Sequence, residues 1–340
     1  MEKIIHKDSS MGLVHVSDKE PGYTRKKWGK GFIYFDEENY RVNDTRELER
    51  IKNIKIPPNW NDVWICKLPN GYLQATGIDS KSRKQYLYHP DWKVYQQDTK
   101  FKKIKEFAES LPVIRETTEK HVRKNKWPKE KVLALIVQIL DETYIRIGNK
   151  IYQEEHGTFG LTTLRRKHVQ FGTDEIIFSY KAKGNKYRKV QLKNKIFNRL
   201  VRQCSELPGY EVFRYLDASG KTIPVTSQDV NKYIESISGN NFTSKTFRIW
   251  GGTVLAIKKF HEAKEKKKKN HRLKFRTTLI RLVAKELGNT VAISEEYYIH
   301  PKILENVTNE DFDPDNVSIE HHLTGMDKEE LIALSILKDN

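Results

Sequence analysis

The sequence predicts an α+β protein: a small antiparallel β-rich domain over residues 1–97 and a larger, mainly α-helical domain over residues 98–340. Three observations carry that expectation. Asn70-Gly71 lies between two short strand-like runs, residues 63–68 and 72–77, and Asn-Gly in that setting is a strong hairpin signal. Apolar spacing turns helical over residues 98–120 and again over 128–145. Within the second stretch, Val132-Leu133-Ala134-Leu135-Ile136-Val137-Gln138-Ile139-Leu140 is apolar on nearly every side, which suits a central buried helix.

The remaining elements follow in order. Residues 1–30 are polar and basic and lead into Phe32-Ile33-Tyr34-Phe35. Residues 48–54 read as a short helix, closed off by Pro57-Pro58. A small β region is expected near 158–192. In it, residues 174–180 and 187–192 form a hairpin around Lys181-Ala182-Lys183-Gly184-Asn185-Lys186. From about residue 194 the pattern is mainly helical, with Ser227 expected to cap the helix that contains Val230 and Ile234. Gly251-Gly252 marks a tight spot. The run Lys264-Glu265-Lys266-Lys267-Lys268-Lys269-Asn270 reads first as a solvated helix end or loop and second as a DNA-tracking segment. No internal repeat is visible.

The chain has 340 residues and a formal net charge of +17, a balance that favours a polyanionic partner such as double-stranded DNA. Cys66 and Cys204 lie far apart in the chain, so neither a disulfide framework nor a metal-ligand cluster is expected. The first residues have no apolar signal core, and no stretch has the length needed to span a bilayer. The expectation is a soluble intracellular protein with no membrane partner.

Four residues stand out as candidate chemistry. Tyr298 lies in Ser294-Glu295-Glu296-Tyr297-Tyr298-Ile299-His300-Pro301, with Tyr297 as the obvious rival. Arg146 follows the apolar helix, Arg248 precedes Gly251-Gly252, and the basic hairpin turn offers Lys181, Lys183 and Lys186. Arginine grips two phosphate oxygens with a planar fork and stays charged. Two arginines, a lysine and a phenol suit phosphoryl transfer to a tyrosine oxygen with neither metal nor other cofactor. The residues alone do not choose among the turn lysines, nor between the two tyrosines.

Over roughly residues 20–310 the chain resembles the type IB DNA topoisomerases of the small poxvirus and bacterial kind. The resemblance rests on Ile54-Lys55-Ile56-Pro57-Pro58-Asn59-Trp60-Asn61-Asp62-Val63-Trp64-Ile65 and on Gln74-Ala75-Thr76-Gly77-Ile78-Asp79-Ser80-Lys81-Ser82-Arg83-Lys84-Gln85-Tyr86. It also rests on the flanks of the four candidates. It implies a catalytic domain of the type IB topoisomerase/tyrosine recombinase kind. The activity implied is relaxation of supercoiled duplex DNA through a 3′-phosphotyrosyl intermediate, without ATP or metal. Tyr298 then matches the nucleophile, Arg146 and Arg248 the phosphate-binding arginines, and Lys183 the general acid. Asn289 stands where poxvirus members carry histidine and bacterial members asparagine; its amide donates a hydrogen bond but brings no charge. Lys245 matches a second active-site lysine, with a plain phosphate contact as the alternative.

In the first domain, Gln74 and Tyr86 match a stretch that meets the DNA major groove in relatives, with Lys81, Arg83 and Lys84 as phosphate contacts. The resemblance further implies a monomer closing on DNA as a C-shaped clamp. It also implies a DNA-associated location, in the bacterial cytoplasm and nucleoid or in a virion or viral factory. Two rivals are a tyrosine recombinase and an architectural DNA-binding protein with a dead centre. Lys245 argues against the first, because recombinases typically carry histidine three residues before the second arginine. The intact set Arg146, Lys183, Arg248 and Tyr298 argues against the second. The tail after about residue 310, with His321-His322, offers no chemistry.

Overall fold

The computed structural model describes residues 7–8, 12–319 and 323–338. His321 and His322 lie outside the described residues. The chain divides into two compact units, Met1–Lys100 and Phe101–Asn340.

The first unit holds β1 (Lys7–Asp8), β2 (Leu13–Val14), β3 (Tyr23–Trp28), β4 (Gly31–Phe35), α1 (Thr45–Asn53), β5 (Asn61–Ile65), β6 (Leu73–Ile78) and β7 (Lys84–Tyr88). The last five strands form an antiparallel sheet in the order β4-β3-β5-β6-β7. Ile51 of α1 packs on Val63, Ile65 and Ala75 of that sheet, and the Asp44 side chain caps α1 by accepting from the Arg46 N–H. The hairpin around Asn70-Gly71 exists, but β5 ends at Ile65 and β6 begins at Leu73. Residues 66–72 instead form a loop whose carbonyls are bound by a side chain. The Gln74 amide donates to the Gly71 oxygen at 2.7 Å, Pro69 at 3.0 Å and Leu68 at 3.3 Å.

Helix α2 (Pro90–Val122) begins in the first unit and ends in the second. It starts at Pro90, eight residues earlier than the apolar spacing indicates, because a first-turn proline needs no intrahelical N–H partner. The second unit continues with α3 (Lys129–Thr143), α4 (Lys150–His156), β8 (Val169–Phe171), β9 (Glu175–Ala182), β10 (Lys186–Lys193), α5 (Lys195–Glu206), β11 (Arg214–Leu216) and β12 (Thr222–Pro224). Then come α6 (Ser227–Ser238), α7 (Ser244–Lys258), α8 (Phe260–Lys269), α9 (Phe275–Leu287), α10 (Val291–Tyr297), α11 (Pro301–Thr308) and α12 (Lys328–Lys338).

As its apolar surface dictates, α3 is the buried centre, packed by α5, α6 and α7. Helix α7 in turn contacts α9, α11 and α12. Strands β10, β9 and β8 form one antiparallel sheet. The short β11–β12 hairpin interrupts a stretch expected to be helical. The cap of α6 is Thr226 rather than Ser227. The Thr226 hydroxyl accepts from the Asp229 N–H at 3.1 Å and the Asp229 carboxylate accepts from the Thr226 N–H at 2.9 Å, which places Ser227 in the first turn. The lysine run is the exposed end of α8. Cys66 and Cys204 are both buried free thiols. Among the described residues no helix is long and apolar enough to cross a membrane.

A polar network ties the C-terminal helix to this core. Arg115 of α2 bonds Asp141 of α3 at 2.7 Å and Glu330 of α12 at 2.7 Å, and the Trp250 indole of α7 donates to Glu330 at 3.2 Å. Burial pushes the Asp141 carboxyl up from its ordinary value, and the Arg115 charge opposes that. Removing one partner from such a network leaves buried charge uncompensated, at a cost of about 3–5 kcal/mol. Glu330→Ala should lose about 3 kcal/mol, the low end of that range, since Arg115 keeps 30% of its side chain exposed. Urea unfolding checks this, and a change under 1 kcal/mol would show that α12 is not held through Glu330.

Candidate active site

The site is built on the end of a helix. Helix α9 stops because Gly288 adopts the left-handed conformation, φ +63°, and the Asn289 N–H turns back to the Ala284 carbonyl at 2.9 Å. The carbonyls of the last turn have no intrahelical donors, and the helix dipole makes that end negative. Three guanidiniums from different parts of the chain fill the demand. Arg248 of α7 donates to the Leu287 oxygen at 3.0 Å and Arg146 donates to the Gly288 oxygen at 3.3 Å. Arg188 of β10 donates to the Glu286 oxygen at 2.5 Å and the Leu287 oxygen at 3.2 Å. Asn289 Oδ1 accepts from Arg146 and, at 3.3 Å, from Arg248. Arginine offers only donors, so the amide oxygen must face both, and the Asn289 Nδ2 points elsewhere.

Local backbone structure fixes each arginine. Helix α3 ends at Tyr144, also left-handed at φ +51°, and the Tyr144 carbonyl accepts from Arg248. The chain then straightens so that the Arg146 carbonyl accepts from the Leu161 N–H at 2.9 Å. Tyr298 caps the end of α10; its N–H and that of Ile299 both reach the Ser294 carbonyl at 3.1 Å. The fully buried Ile299 side chain and the His300 N–H bond to Thr253 of α7, 3.1 Å, hold this segment against α7. The approach explains Gly252, where a Cβ would sit 2.4 Å from the Tyr298 carbonyl oxygen, while at Gly251 a Cβ would sit 2.3 Å from the Tyr144 ring.

Tyr298 thereby lies beside the arginines. The Arg248 guanidinium carbon is 5.2 Å from the centroid of its ring, and the Tyr298 side chain is a hydrogen-bond partner of Arg248. Arg248 is only 3% exposed. Burial, and secondarily Arg146, lowers its pKa to about 10 against the opposing pull of Tyr298, so it is still protonated at neutral pH. Burial likewise lowers the Arg146 pKa. Among the described residues neither arginine has a carboxylate ion-pair partner. Two buried donors are also unsatisfied, Arg248 Nε and Asn289 Nδ2. Positive charge and unpaired N–H groups beside a phenol form an anion-binding pocket.

The two lysines stand apart from this hydrogen-bonded group. Lys183 is exposed in the turn between β9 and β10, and Lys245 is exposed on α7 one turn before Arg248. Among the described residues neither forms a hydrogen bond or ion pair. The rival phenol, Tyr297, is a hydrogen-bond partner of Glu296, which pushes its pKa up to about 12. A three-ligand grouping of His261, Asp313 and Asp315 belongs to other elements, and Asp315 there is already bound to Lys328 at 2.6 Å.

In the first unit the expected DNA contacts divide. Gln74 is 6% exposed, and its amide is occupied by the loop carbonyls and its oxygen by Arg50 at 3.3 Å, so its side chain faces inward. Tyr86 is exposed on β7. Lys81 is exposed, Arg83 pairs with Asp79 at 2.6 Å, and Lys84 pairs with Asp18. The Arg83 hydrogen bond lowers the Asp79 pKa to about 2.

Comparison with known proteins adds the family. Residues 89–317 match the family described as eukaryotic DNA topoisomerase I, catalytic core, and residues 31–79 match bacterial DNA topoisomerase IB, N-terminal domain. DNA topoisomerase 1B of Acanthamoeba polyphaga mimivirus is 30% identical, covering 84% of this chain and 87% of its own. DNA topoisomerase 1B of Vaccinia virus (strain Copenhagen) is 24% identical over 79% of this chain and 85% of its own. The chain belongs to the type IB DNA topoisomerase family. It is an enzyme of the small viral and bacterial-like kind, acting on DNA. Among solved structures, the XerH site-specific recombinase bound to difH substrate aligns with 56% of this chain and 48% of its own, at 20% identity and a TM-score of 0.34.

Two features of this topoisomerase are not anticipated from sequence. One is Arg188. The other is a ladder of rings on the first unit: Tyr86 stacks on Tyr88 at 6.2 Å, Tyr88 on Tyr72 at 6.0 Å, and Tyr72 on His15 at 4.6 Å. The signal for part of it is there, because Lys84, Tyr86 and Tyr88 alternate along β7 and share its exposed face.

Two outcomes follow from this geometry. Gly252→Ala should displace Tyr298, cutting plasmid relaxation at least 10-fold while costing about 1–3 kcal/mol of stability. Retained activity would show that Tyr298 does not need this close approach. Gln74→Ala should lower stability by about 1–3 kcal/mol by freeing buried carbonyls and leave the salt dependence of DNA binding unchanged; a weaker salt slope in a binding titration would count against its inward role.

Proposed function

We propose that this enzyme relaxes supercoiled duplex DNA by a reversible transesterification at Tyr298, with neither ATP nor metal. One observation carries the reading. Arg146, Arg248 and Asn289 converge on the end of α9 beside Tyr298, and Arg248 Nε and Asn289 Nδ2 are buried donors without a partner. A scissile phosphate accepting from those donors would sit next to the phenol and neutralise the buried positive charge.

In the forward step the Tyr298 oxygen bonds to phosphorus, the bond from phosphorus to the 5′-oxygen breaks, and a 3′-phosphotyrosyl enzyme forms. The phenol is a weak nucleophile while protonated, and its proton passes to solvent as the bond to phosphorus forms. The departing 5′-oxygen takes a proton from Lys183, assisted by Lys245 one helical turn from Arg248. Positioned proton transfer of this kind contributes typically about 10²–10⁴-fold. Arg146 and Arg248 stabilise the charge that builds on the non-bridging oxygens, and Asn289 adds a neutral donor. One phosphodiester is exchanged for another, so no nucleotide energy is consumed. After strand rotation the 5′-hydroxyl returns its proton and attacks phosphorus, releasing Tyr298. A single chain supplies all these groups, which supports action as a monomer. In this reading Tyr86, Lys81, Arg83 and Lys84 belong to the DNA-binding face of the first unit.

Tyr298 is preferred to Tyr297 because Glu296 holds the Tyr297 phenol protonated, whereas Tyr298 faces the arginines. The test is relaxation of a negatively supercoiled plasmid in EDTA without ATP, with denaturing gels for covalent adduct. Wild type should relax the plasmid and form adduct, and Tyr298→Phe should bind DNA and do neither. Adduct persisting in Tyr298→Phe would transfer the nucleophile to Tyr297, and a folded, DNA-binding wild type that fails to relax would refute the activity.

A further inference from the structure

Lys183 sits at the tip of a ribbon, and the ribbon has to be held. Strands β9 and β10 pair from Glu175↔Lys193 to Ala182↔Lys186, and beyond that last rung Lys183, Gly184 and Asn185 make the turn. A two-stranded ribbon twists readily, and a long lysine at its end multiplies any swing. On β9 the ribbon is pinned near the tip by the backbone: the Lys181 carbonyl accepts from the Phe159 N–H at 2.8 Å. On β10 the residues near the tip, Lys186 and Tyr187, are exposed, Tyr187 at 85%. The next residue is Arg188, directly across from Tyr180.

Arg188 reaches out of the ribbon to the same helix end that organises the phosphate pocket. It donates to the Glu286 and Leu287 carbonyls at 2.5 and 3.2 Å, and Leu287 also accepts from Arg248 at 3.0 Å. It is also a hydrogen-bond partner of the buried Tyr180. The fit is close: a Cβ on Gly288 would lie 2.9 Å from the Arg188 Cδ. The lysine ribbon and the arginine pocket therefore share one anchor.

We infer that Arg188 is a positioning residue for Lys183, fixing the hairpin to the end of α9 so that the tip lysine is delivered to the 5′-oxygen of the phosphate held by Arg146 and Arg248. This rests on the assignment of Lys183 as the proton donor. Arg188 itself spends its donors on carbonyls and Tyr180, so its effect should fall on the protonation of the leaving group rather than on phosphate charge.

The leaving group makes the two effects separable. An alkoxide needs a proton to depart, whereas a thiolate, whose conjugate acid is far more acidic than an alcohol (about 8.5 for a cysteine thiol), does not. Single-turnover cleavage would be measured on duplexes with either the normal 5′-oxygen or a 5′-bridging sulfur at the scissile phosphate. The proteins are wild type, Lys183→Ala, Arg188→Met and Arg188→Lys, each checked by thermal melting and DNA binding. Arg188→Met should cut the oxygen substrate about 10–100-fold more slowly, below the full worth of a general acid, and should return to within about 3-fold of wild type on sulfur. Arg188→Lys should fall between, and it carries the comparison if the methionine variant does not fold. Equal slowing on both substrates would place Arg188 in the phosphate pocket and overturn the inference, as would wild-type cleavage of the oxygen substrate. Sulfur rescue of Lys183→Ala without rescue of the Arg188 variants would refute this inference alone. Absence of sulfur rescue in Lys183→Ala would remove the proton-donor assignment and this inference with it.

Discussion

The proposed active site depends on a helix C-terminus that gathers cations and, in the proposed reaction, presents them to a phosphate. The left-handed turn at Gly288 exposes the last carbonyls of α9, and those carbonyls collect Arg146, Arg188 and Arg248 from three distant parts of the chain. Carbonyls are well suited to this task. They orient a guanidinium without cancelling its charge, as a carboxylate would. The charge is held at a cost. Depression of the Arg248 pKa from the ordinary 12.5 to about 10 corresponds to about 3 kcal/mol against its charged form. In the proposed reaction a phosphate in the pocket would recover that energy, and a transition state with more charge on the non-bridging oxygens would recover more of it.

Much of this was legible in the chain, for identifiable reasons. The apolar run from Val132 to Leu140 can only be a buried helix, and Arg146 lies just past its end. Gly251-Gly252 signals a close approach, and the structure supplies two partners, the Tyr144 ring at Gly251 and the Tyr298 backbone at Gly252. The basic turn between β9 and β10 is marked by Gly184 and Asn185, both at positive φ. The joining of Arg146, Arg248 and Asn289 at one helix end could not be derived from spacing, because it depends on three long-range contacts; only the resemblance grouped those residues.

What escaped the sequence escaped for physical reasons. Gln74 lies on β6, a strand in which every residue from Leu73 to Gly77 is buried, so no alternation separates an inward from an outward side chain. Its neighbourhood of polar and basic residues suggests a binding surface, but its amide is consumed by the carbonyls of the loop around the Leu68–Gly71 turn. The ring ladder depends on Tyr72 and His15, far from β7 in the sequence. Arg188 looked like one more cation in a basic hairpin. Its distinction is the register that sets it opposite Tyr180 and toward α9, and register is a tertiary fact.

The separation of the lysines from the arginines also has a chemical logic. An arginine inside the pocket keeps its charge despite burial, because even at about 10 its pKa lies well above neutrality. A lysine buried beside two guanidiniums would lose its proton before it could donate it, since desolvation and like charge both lower an ammonium pKa. Lys183, exposed at a ribbon tip, stands clear of that burial and of the two guanidiniums. In the proposed reaction, the attachment of the ribbon through Arg188 then matters as much as the lysine it carries.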